Sequence, residues 1–147
     1  MATPVGKNIL GRRIPRTVLA VLGGYSANAV FVGVTEQLLS KLGSKSAYFW
    51  ADLASQCVYG VISACLCCLI AGQGVRLAAS IVLNGLGLMV GAISVIASWK
   101  VAPHWYSLSL LSIWTPCVWV GYLSVRQVTA AAFLPLKAKS SMAKHSD

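Results

Sequence analysis

Long apolar stretches separated by short polar connections dominate the pattern of the chain. Four such stretches run from Thr17 to Leu39, Leu53 to Val75, Leu77 to Trp99 and Val101 to Val125. Each reaches or approaches the roughly 20 residues that an α-helix needs to cross the hydrocarbon core of a bilayer. Only Glu36 and Gln37 interrupt the first stretch, near its end. The pattern therefore predicts an all-α, polytopic membrane protein with four transmembrane helices.

The connections between these stretches are short. Polar or helix-breaking residues occupy positions 41–47, 71–74 and 99–105. Short links make consecutive helices antiparallel neighbours, so we expect two antiparallel hairpins. The sequence thus divides into a basic N-terminal segment (1–16), a four-helix transmembrane domain (17–126) and a basic C-terminal tail (127–147).

Basic residues are unevenly distributed between the two predicted membrane faces. On the face of the termini lie Lys7, Arg12, Arg13, Arg16, Arg76, Arg126, Lys137, Lys139 and Lys144. On the other face lie only Lys41, Lys45 and Lys100, beside an expected interfacial belt of Trp50, Trp99 and Trp105. Positive charge marks the cytoplasmic side of a membrane protein. We therefore expect both termini in the cytoplasm, or in the matrix if the membrane is the mitochondrial inner membrane.

Composition supports a lipid-embedded chain. Charged residues make up 10% of it and hydrophobic residues 57%, whereas soluble domains carry about 25% charged residues. The net charge of +9 is clustered at the ends, which favours anionic lipid such as cardiolipin over nucleic acid. The candidates for contacting lipid headgroups or partner subunits are Arg12, Arg13, Arg16, Arg76, Arg126, Lys137 and Lys139.

Small residues recur at helical spacing within the apolar stretches. Such residues let helix backbones approach closely in lipid, where no hydrophobic force drives helices together. The candidates for helix packing are Ala20, Gly24, Asn28, Gly33, Asn84, Gly87 and Gly91. They serve either the bundle itself or another subunit. A hydrogen bond between Asn28 and Asn84 that joins two helices is the favoured interpretation of these residues, and contact with a substrate is the alternative.

Acidic residues are rare, and two of them flank the first predicted turn. Glu36 and Asp52 are expected at the same interface as Lys41 and Lys45. Salt bridges with these lysines are one interpretation, and a role with a lipid headgroup, an ion or a proton is the other. The sequence shows no catalytic, cofactor-binding or metal-binding constellation, so we expect a protein that is not an enzyme and holds no cofactor.

The five cysteines all lie inside apolar stretches, at Cys57, Cys65, Cys67, Cys68 and Cys117. This placement argues against the disulfide scaffold of a small secreted domain. Cys65 and Cys68 form a Cys-x-x-Cys motif, which resembles that of the four-helix thiol enzymes related to vitamin K epoxide reductase. The resemblance implies a membrane thiol redox enzyme, while buried structural cysteines are the competing interpretation.

Two further resemblances concern the first helix. The segment from Asn8 to Ala20, with its Ile-Pro step, resembles the start of subunit k of mitochondrial ATP synthase. The segment from Leu22 to Phe31, together with the two-hairpin layout, resembles the GtrA-like family of four-helix proteins. The first resemblance implies a subunit of a respiratory assembly, and the second implies a carrier of lipid-linked sugars.

The sequence thus predicts a non-catalytic accessory subunit of a large membrane complex, in a mitochondrial respiratory chain or ATP synthase assembly. Its partners would be other subunits of that complex and anionic lipid. A small transporter or GtrA-like carrier is the first alternative, because a polar site near the membrane midplane would suit transport. A membrane thiol redox enzyme is the second.

Overall fold

The computed structural model describes the backbone of residues 5–39, 41 and 44–143, and the side chains of residues 13–39, 41, 44 and 46–132. These residues form α1 (Val5–Leu39), α2 (Lys45–Ala71), α3 (Arg76–Ser98) and α4 (His104–Ala143), with no strand among them. All four helices are long and apolar enough to cross a membrane. The predicted all-α fold with four membrane helices is therefore confirmed.

Several helices are longer than the apolar stretches that predicted them. α1 begins at Val5 and α4 continues to Ala143, so the boundaries placed after residues 16 and 126 fall inside continuous helices. α2 begins at Lys45, well before the predicted Leu53, because the Ser44 hydroxyl accepts a hydrogen bond from the backbone N–H of Ala47 (3.5 Å). A hydrophobic stretch shows which part of a helix spans the membrane, but it does not show how far the helix continues into polar sequence.

The end of α2 depends on a glycine. Gly72 has a φ of 70°, a conformation that side chains disfavour, and its N–H bonds to the carbonyl oxygen of Cys68. This residue stops α2 at Ala71 and allows the short connection to α3.

Side-chain contacts show that neighbouring helices are antiparallel. At one end, Arg16 donates from Nε to the carbonyl oxygen of Ile70 at 3.1 Å. Arg76 at the same end donates from Nη1 to Thr129 Oγ1 at 3.0 Å. The start of α1, the α2–α3 connection and the distal part of α4 therefore share this end. We call it the arginine end and define it by Arg13, Arg16, Arg76 and Arg126.

Aromatic rings define the opposite end, which we call the aromatic end (Tyr48, Phe49, Trp50, Trp105 and Tyr106). The ring centroids of Trp50 and Trp105 lie 5.2 Å apart and join the N-terminal parts of α2 and α4. Both indoles remain partly exposed. Amphipathic aromatic rings in such positions are typical of a membrane–water interface.

The core lies in the half of the bundle nearest the arginine end. α2 packs against each of the other helices, whereas α1 and α4 do not meet within the described residues. Most of the core side chains are small, and the set is Ala20, Val21, Ala64, Cys67, Ala71, Ala79, Leu83 and Val118. Side chains of this size bring helix backbones close together in lipid.

At two glycines, the backbones of neighbouring helices come close together. A Cβ at Gly24 would lie 2.8 Å from the carbonyl oxygen of Ser63, and a Cβ at Gly121 would lie 2.7 Å from that of Val61. Because backbone atoms set these distances, neither position has room for a side chain. Gly24 joins α1 to α2, and Gly121 joins α4 to α2.

Candidate functional site

A cavity of about 450 Å³ lies beside the gap between α1 and α4. Residues of α1, α3 and α4 form its walls, and Gln56 of α2 contributes to its lining. The cavity exists because α1 contacts α2 and α3 but does not reach α4 among the described residues. Its volume falls within the range of roughly 300–1,000 Å³ that is usual for sites of small molecules.

The cavity extends from the middle of the bundle to the aromatic end. At 1.5 Å per residue, Asn28 lies about 18 Å along α1 from Arg16, and Glu36 lies about 30 Å from it. Trp114 lies about 15 Å along α4 from His104, which also places it near mid-bundle. Asn28, Glu36 and Trp114 all line the cavity. Nearer the arginine end, Gly24 packs against α2 and the core is filled.

Three residues of the lining carry buried polar atoms that have no hydrogen-bond partner. These atoms are Oδ1 of Asn28, Oγ of Ser107 and Nε1 of Trp114. An unsatisfied polar group costs several kcal/mol in hydrocarbon. A molecule that offers both donors and acceptors beside these groups would remove that cost.

Glu36 is the one acidic or basic side chain in the lining, as far as the described residues go. The aromatic residues Tyr25 and Trp114 line the same cavity. A carboxylate and the faces of aromatic rings both attract cations. The cavity therefore has the chemistry to receive an amphiphilic molecule with a cationic group.

The predicted helix-packing residues occupy different environments. Ala20 lies in the core and Gly24 contacts α2. A Cβ at Gly87 would overlap the indole of Trp114, and one at Gly91 would lie 3.2 Å from Leu111. Gly33 has no neighbouring atom within 4 Å of the position of a Cβ. Gly87 and Gly91 therefore pack α3 against α4, whereas Gly33 packs against nothing in the described chain and lines the cavity.

The expected hydrogen bond between Asn28 and Asn84 is not formed. The Oδ1 atoms of both side chains are buried and have no partner. Asn28 borders the cavity, whereas Asn84 is not part of its lining. The prediction of this hydrogen bond was wrong because helical periodicity does not show which residues of two packed helices face each other.

Asp52 has a different partner from the expected lysine. It is 4% exposed, and the hydroxyl of Tyr106 donates a hydrogen bond to its Oδ2 atom. Lys41 is exposed, and the side chain of Lys45 lies outside the described residues. Because α2 starts at Lys45, Asp52 lies about two turns inside a helix rather than beside a turn. The hydrogen bond between Tyr106 and Asp52 therefore connects α4 to α2.

The basic candidates also separate into groups. Arg16 donates to the carbonyl oxygen of Ile70 in the last turn of α2, Arg76 is buried, and Arg13 and Arg126 are exposed. The side chains of Arg12, Lys137 and Lys139 lie outside the described residues. Arg76 and Arg126 line a second, smaller pocket of about 290 Å³ at the arginine end.

The two cysteines of the Cys-x-x-Cys motif form separate packing contacts. All five cysteines of the chain are free thiols. Cys65 Sγ lies 3.6 Å from the carbonyl oxygen of Gly121, and Cys68 Sγ lies 3.2 Å from Ser80 Oγ. The two thiols of the Cys-x-x-Cys motif therefore contact different helices. No group of three potential metal ligands occurs in the described part of the chain.

Sequence reasoning missed Trp114 and Ser107 in the cavity, as well as Gly121 in the packing. Trp114 did carry a signal, because it lies in the middle of an apolar stretch, away from the interfaces that tryptophan prefers.

The comparisons with known proteins give no match: no family model fits the chain, and no curated protein or solved structure is significantly similar to it.

Proposed function

We propose that this multi-pass membrane protein is a small carrier that binds an amphiphilic organic cation in the cavity between α1 and α4. The observation that carries the proposal is the set of unpartnered polar atoms of Asn28, Ser107 and Trp114 around an intramembrane cavity. Transporters place their substrate sites near the bilayer midplane. The depth of Asn28 and Trp114 fits that position.

The charge of the lining supports a cation as the solute. Glu36 contributes a carboxyl group, and none of the described lining residues is basic. The phosphate of a lipid-linked sugar would meet Glu36 without a compensating cation, which disfavours the GtrA-like alternative for this cavity. The core is packed toward the arginine end. This packing supports a state of the carrier in which the cavity opens toward the aromatic end.

Tetraphenylphosphonium and tetraphenylborate are matched probes, because they share size and shape and differ in charge. The purified protein in liposomes is expected to bind the cation and to carry it across the membrane, and to bind the anion weakly or not at all. Glu36 is exposed, so Glu36→Gln is expected to weaken cation binding by up to about fivefold, since an exposed charge pair contributes up to about 1 kcal/mol. The measurements are quenching of tryptophan fluorescence and uptake of radiolabelled probe above that of protein-free liposomes, because both lipophilic ions also cross a bare bilayer.

Asn28→Leu and Asn84→Leu form a matched pair for the same assay. Both remove an amide whose Oδ1 atom has no partner, but only Asn28 lines the cavity. We expect lower affinity for the cation in the first variant and unchanged affinity in the second. Equal binding of cation and anion, unaffected by Glu36→Gln, would overturn the proposal.

A second candidate function is that of a non-catalytic accessory subunit, in a mitochondrial respiratory or ATP synthase assembly. Gly33 favours this candidate, because a Cβ at Gly33 would have no neighbouring atom of the described chain within 4 Å. The surface of α1 is therefore uncovered at this residue. A helix of another subunit would pack closely there. The arginine end, with both termini, would then face the matrix, where its positive charge would meet cardiolipin.

Mild extraction from the native membrane, native electrophoresis and mass spectrometry test the second candidate. An accessory subunit should migrate with a complex of much higher mass. Gly33→Leu is then expected to release the chain from the complex and to lower its own melting temperature less than Gly24→Leu, because a Cβ at Gly33 would have no atom of the described chain within 4 Å. Migration of the native chain alone, or as a small homo-oligomer, would contradict this candidate.

A further inference from the structure

The pocket at the arginine end contains a buried cation whose bonding partners are neutral. Arg76 is 8% exposed. Its Nε donates to the carbonyl oxygen of Cys68 at 3.4 Å, and its Nη1 donates to Thr129 Oγ1 at 3.0 Å. A charged group taken out of water is costly unless an opposite charge compensates it. Neutral acceptors alone do not supply that charge.

The chain has few groups that could supply it. It contains three acidic residues. Glu36 lines the cavity and Asp52 binds Tyr106, both toward the aromatic end. With a helix rise of 1.5 Å per residue, Glu36 lies about 30 Å from the level of Arg16. The third, Asp147, lies outside the described residues.

A second cation lies in the same pocket. Arg126 is exposed and, together with Arg76, lines the volume of about 290 Å³ between α3 and α4. Gln73, Tyr122 and Thr129 also line it, so side chains with N–H or O–H donors surround the space. Two guanidinium groups near neutral donors favour an anion with several oxygen atoms.

The position of the pocket indicates where such an anion would come from. Arg76 is the first residue of α3, and Arg126 lies about 33 Å along α4 from His104, which is about the thickness of the hydrocarbon core. The pocket is therefore level with the lipid headgroups. Leu77 also lines it and is 48% exposed, which gives an adjacent apolar surface for an acyl chain.

We propose that the pocket of Arg76 and Arg126 binds a phosphate group at the membrane surface. The group is the phosphodiester of an anionic phospholipid or a soluble phosphate, and the chemistry of recognition is the same for both. This site is separate from the cavity of Glu36 and does not depend on the proposed carrier function. Basic pockets between membrane helices commonly receive lipid phosphates.

The test uses the full chain in nanodiscs of phosphatidylcholine with increasing cardiolipin, and native mass spectrometry to count the bound lipid. Arg126→Gln is expected to weaken cardiolipin binding about fivefold, as for the loss of one basic residue at a lipid surface. The side chain of Arg126 makes no hydrogen bond within the described chain, so this variant should fold normally. Arg13→Gln is the matched control: it removes the same charge at the same end, outside the pocket, and should change binding by less than about twofold.

Inorganic phosphate distinguishes the two sources. Displacement of cardiolipin by millimolar phosphate identifies a site that also accepts soluble phosphate, whereas resistance to phosphate identifies a lipid site. Asp147→Asn tests whether that carboxylate already neutralises the arginines, and it should leave lipid binding unchanged. An equal loss of binding in Arg126→Gln and Arg13→Gln would overturn the proposal, as would a gain of lipid binding in Asp147→Asn.

Discussion

Replacing Gly121 by leucine is expected to abolish the close packing of α4 on α2 and to prevent isolation of a stable protein. A Cβ at this position alone would lie 2.6 Å from Ala64 Cβ and 2.7 Å from the carbonyl oxygen of Val61. The second of these atoms belongs to the backbone, so rotation of a side chain cannot relieve the overlap. Even Gly121→Ala should lower the free energy of unfolding by about 1–3 kcal/mol, as overpacking of a core usually does.

Gly85→Ala is the control for this prediction, because a Cβ at Gly85 would have no atom within 4 Å. The melting temperature in detergent can be followed with a thiol-reactive dye, since Cys67, Cys68 and Cys117 are buried and react when the bundle opens. Gly85→Ala should melt at or above the temperature of the native chain, because alanine favours helix over glycine by about 1 kcal/mol. Equal melting temperatures for Gly121→Ala and the native chain would show that α2 and α4 are not in close contact.

Tyr106→Phe is expected to destabilise the aromatic end, although it removes a single oxygen atom. The lost hydroxyl is the donor to Asp52, which is 4% exposed. Loss of that donor leaves a buried carboxyl group without its side-chain partner. Such a loss costs about 1–3 kcal/mol, and more for a charged group. The expected result is a lower melting temperature in the same assay.

A double-mutant cycle tests the physical reason. In the Asp52→Leu background, Tyr106→Phe should have little further effect, because no buried carboxyl group remains to be satisfied. Tyr48→Phe is the control, since the Tyr48 hydroxyl has no hydrogen bond in the part of the chain that the structure describes. A loss of stability from Tyr106→Phe that is equally large without Asp52 would indicate packing rather than the hydrogen bond.

The sequence predicted the transmembrane helices well because the bilayer imposes a simple rule. A segment in hydrocarbon has to be apolar and about 20 residues long, and both properties are visible residue by residue. The short connections around Gly72 and Lys100 then required antiparallel neighbours, as observed. Helix ends were less predictable, because α2 starts at a capping hydroxyl of Ser44 rather than at a change of hydropathy.

The candidate site was predictable only in part. Asn28 was identified as a polar residue inside an apolar helix, but its expected partner, Asn84, does not lie beside the cavity. Glu36 was identified as one of a pair with Asp52, yet the structure gives them separate roles. One borders the cavity, and the other is buried against Tyr106. Spacing along one helix places residues on a face, but it does not say which other helix that face meets.

The sequence by itself determined the class of this protein, the number of its membrane helices and the clustering of arginines at one end. Each of these follows from local composition, which lipid and water select directly. Tertiary structure alone decided that α1 and α4 stay apart, that Trp114 and Ser107 line the resulting cavity, and that Arg76 and Arg126 share a pocket. These features depend on the distances between helix backbones. Close contacts such as that of Gly121 with α2 set those distances, and no single segment encodes them.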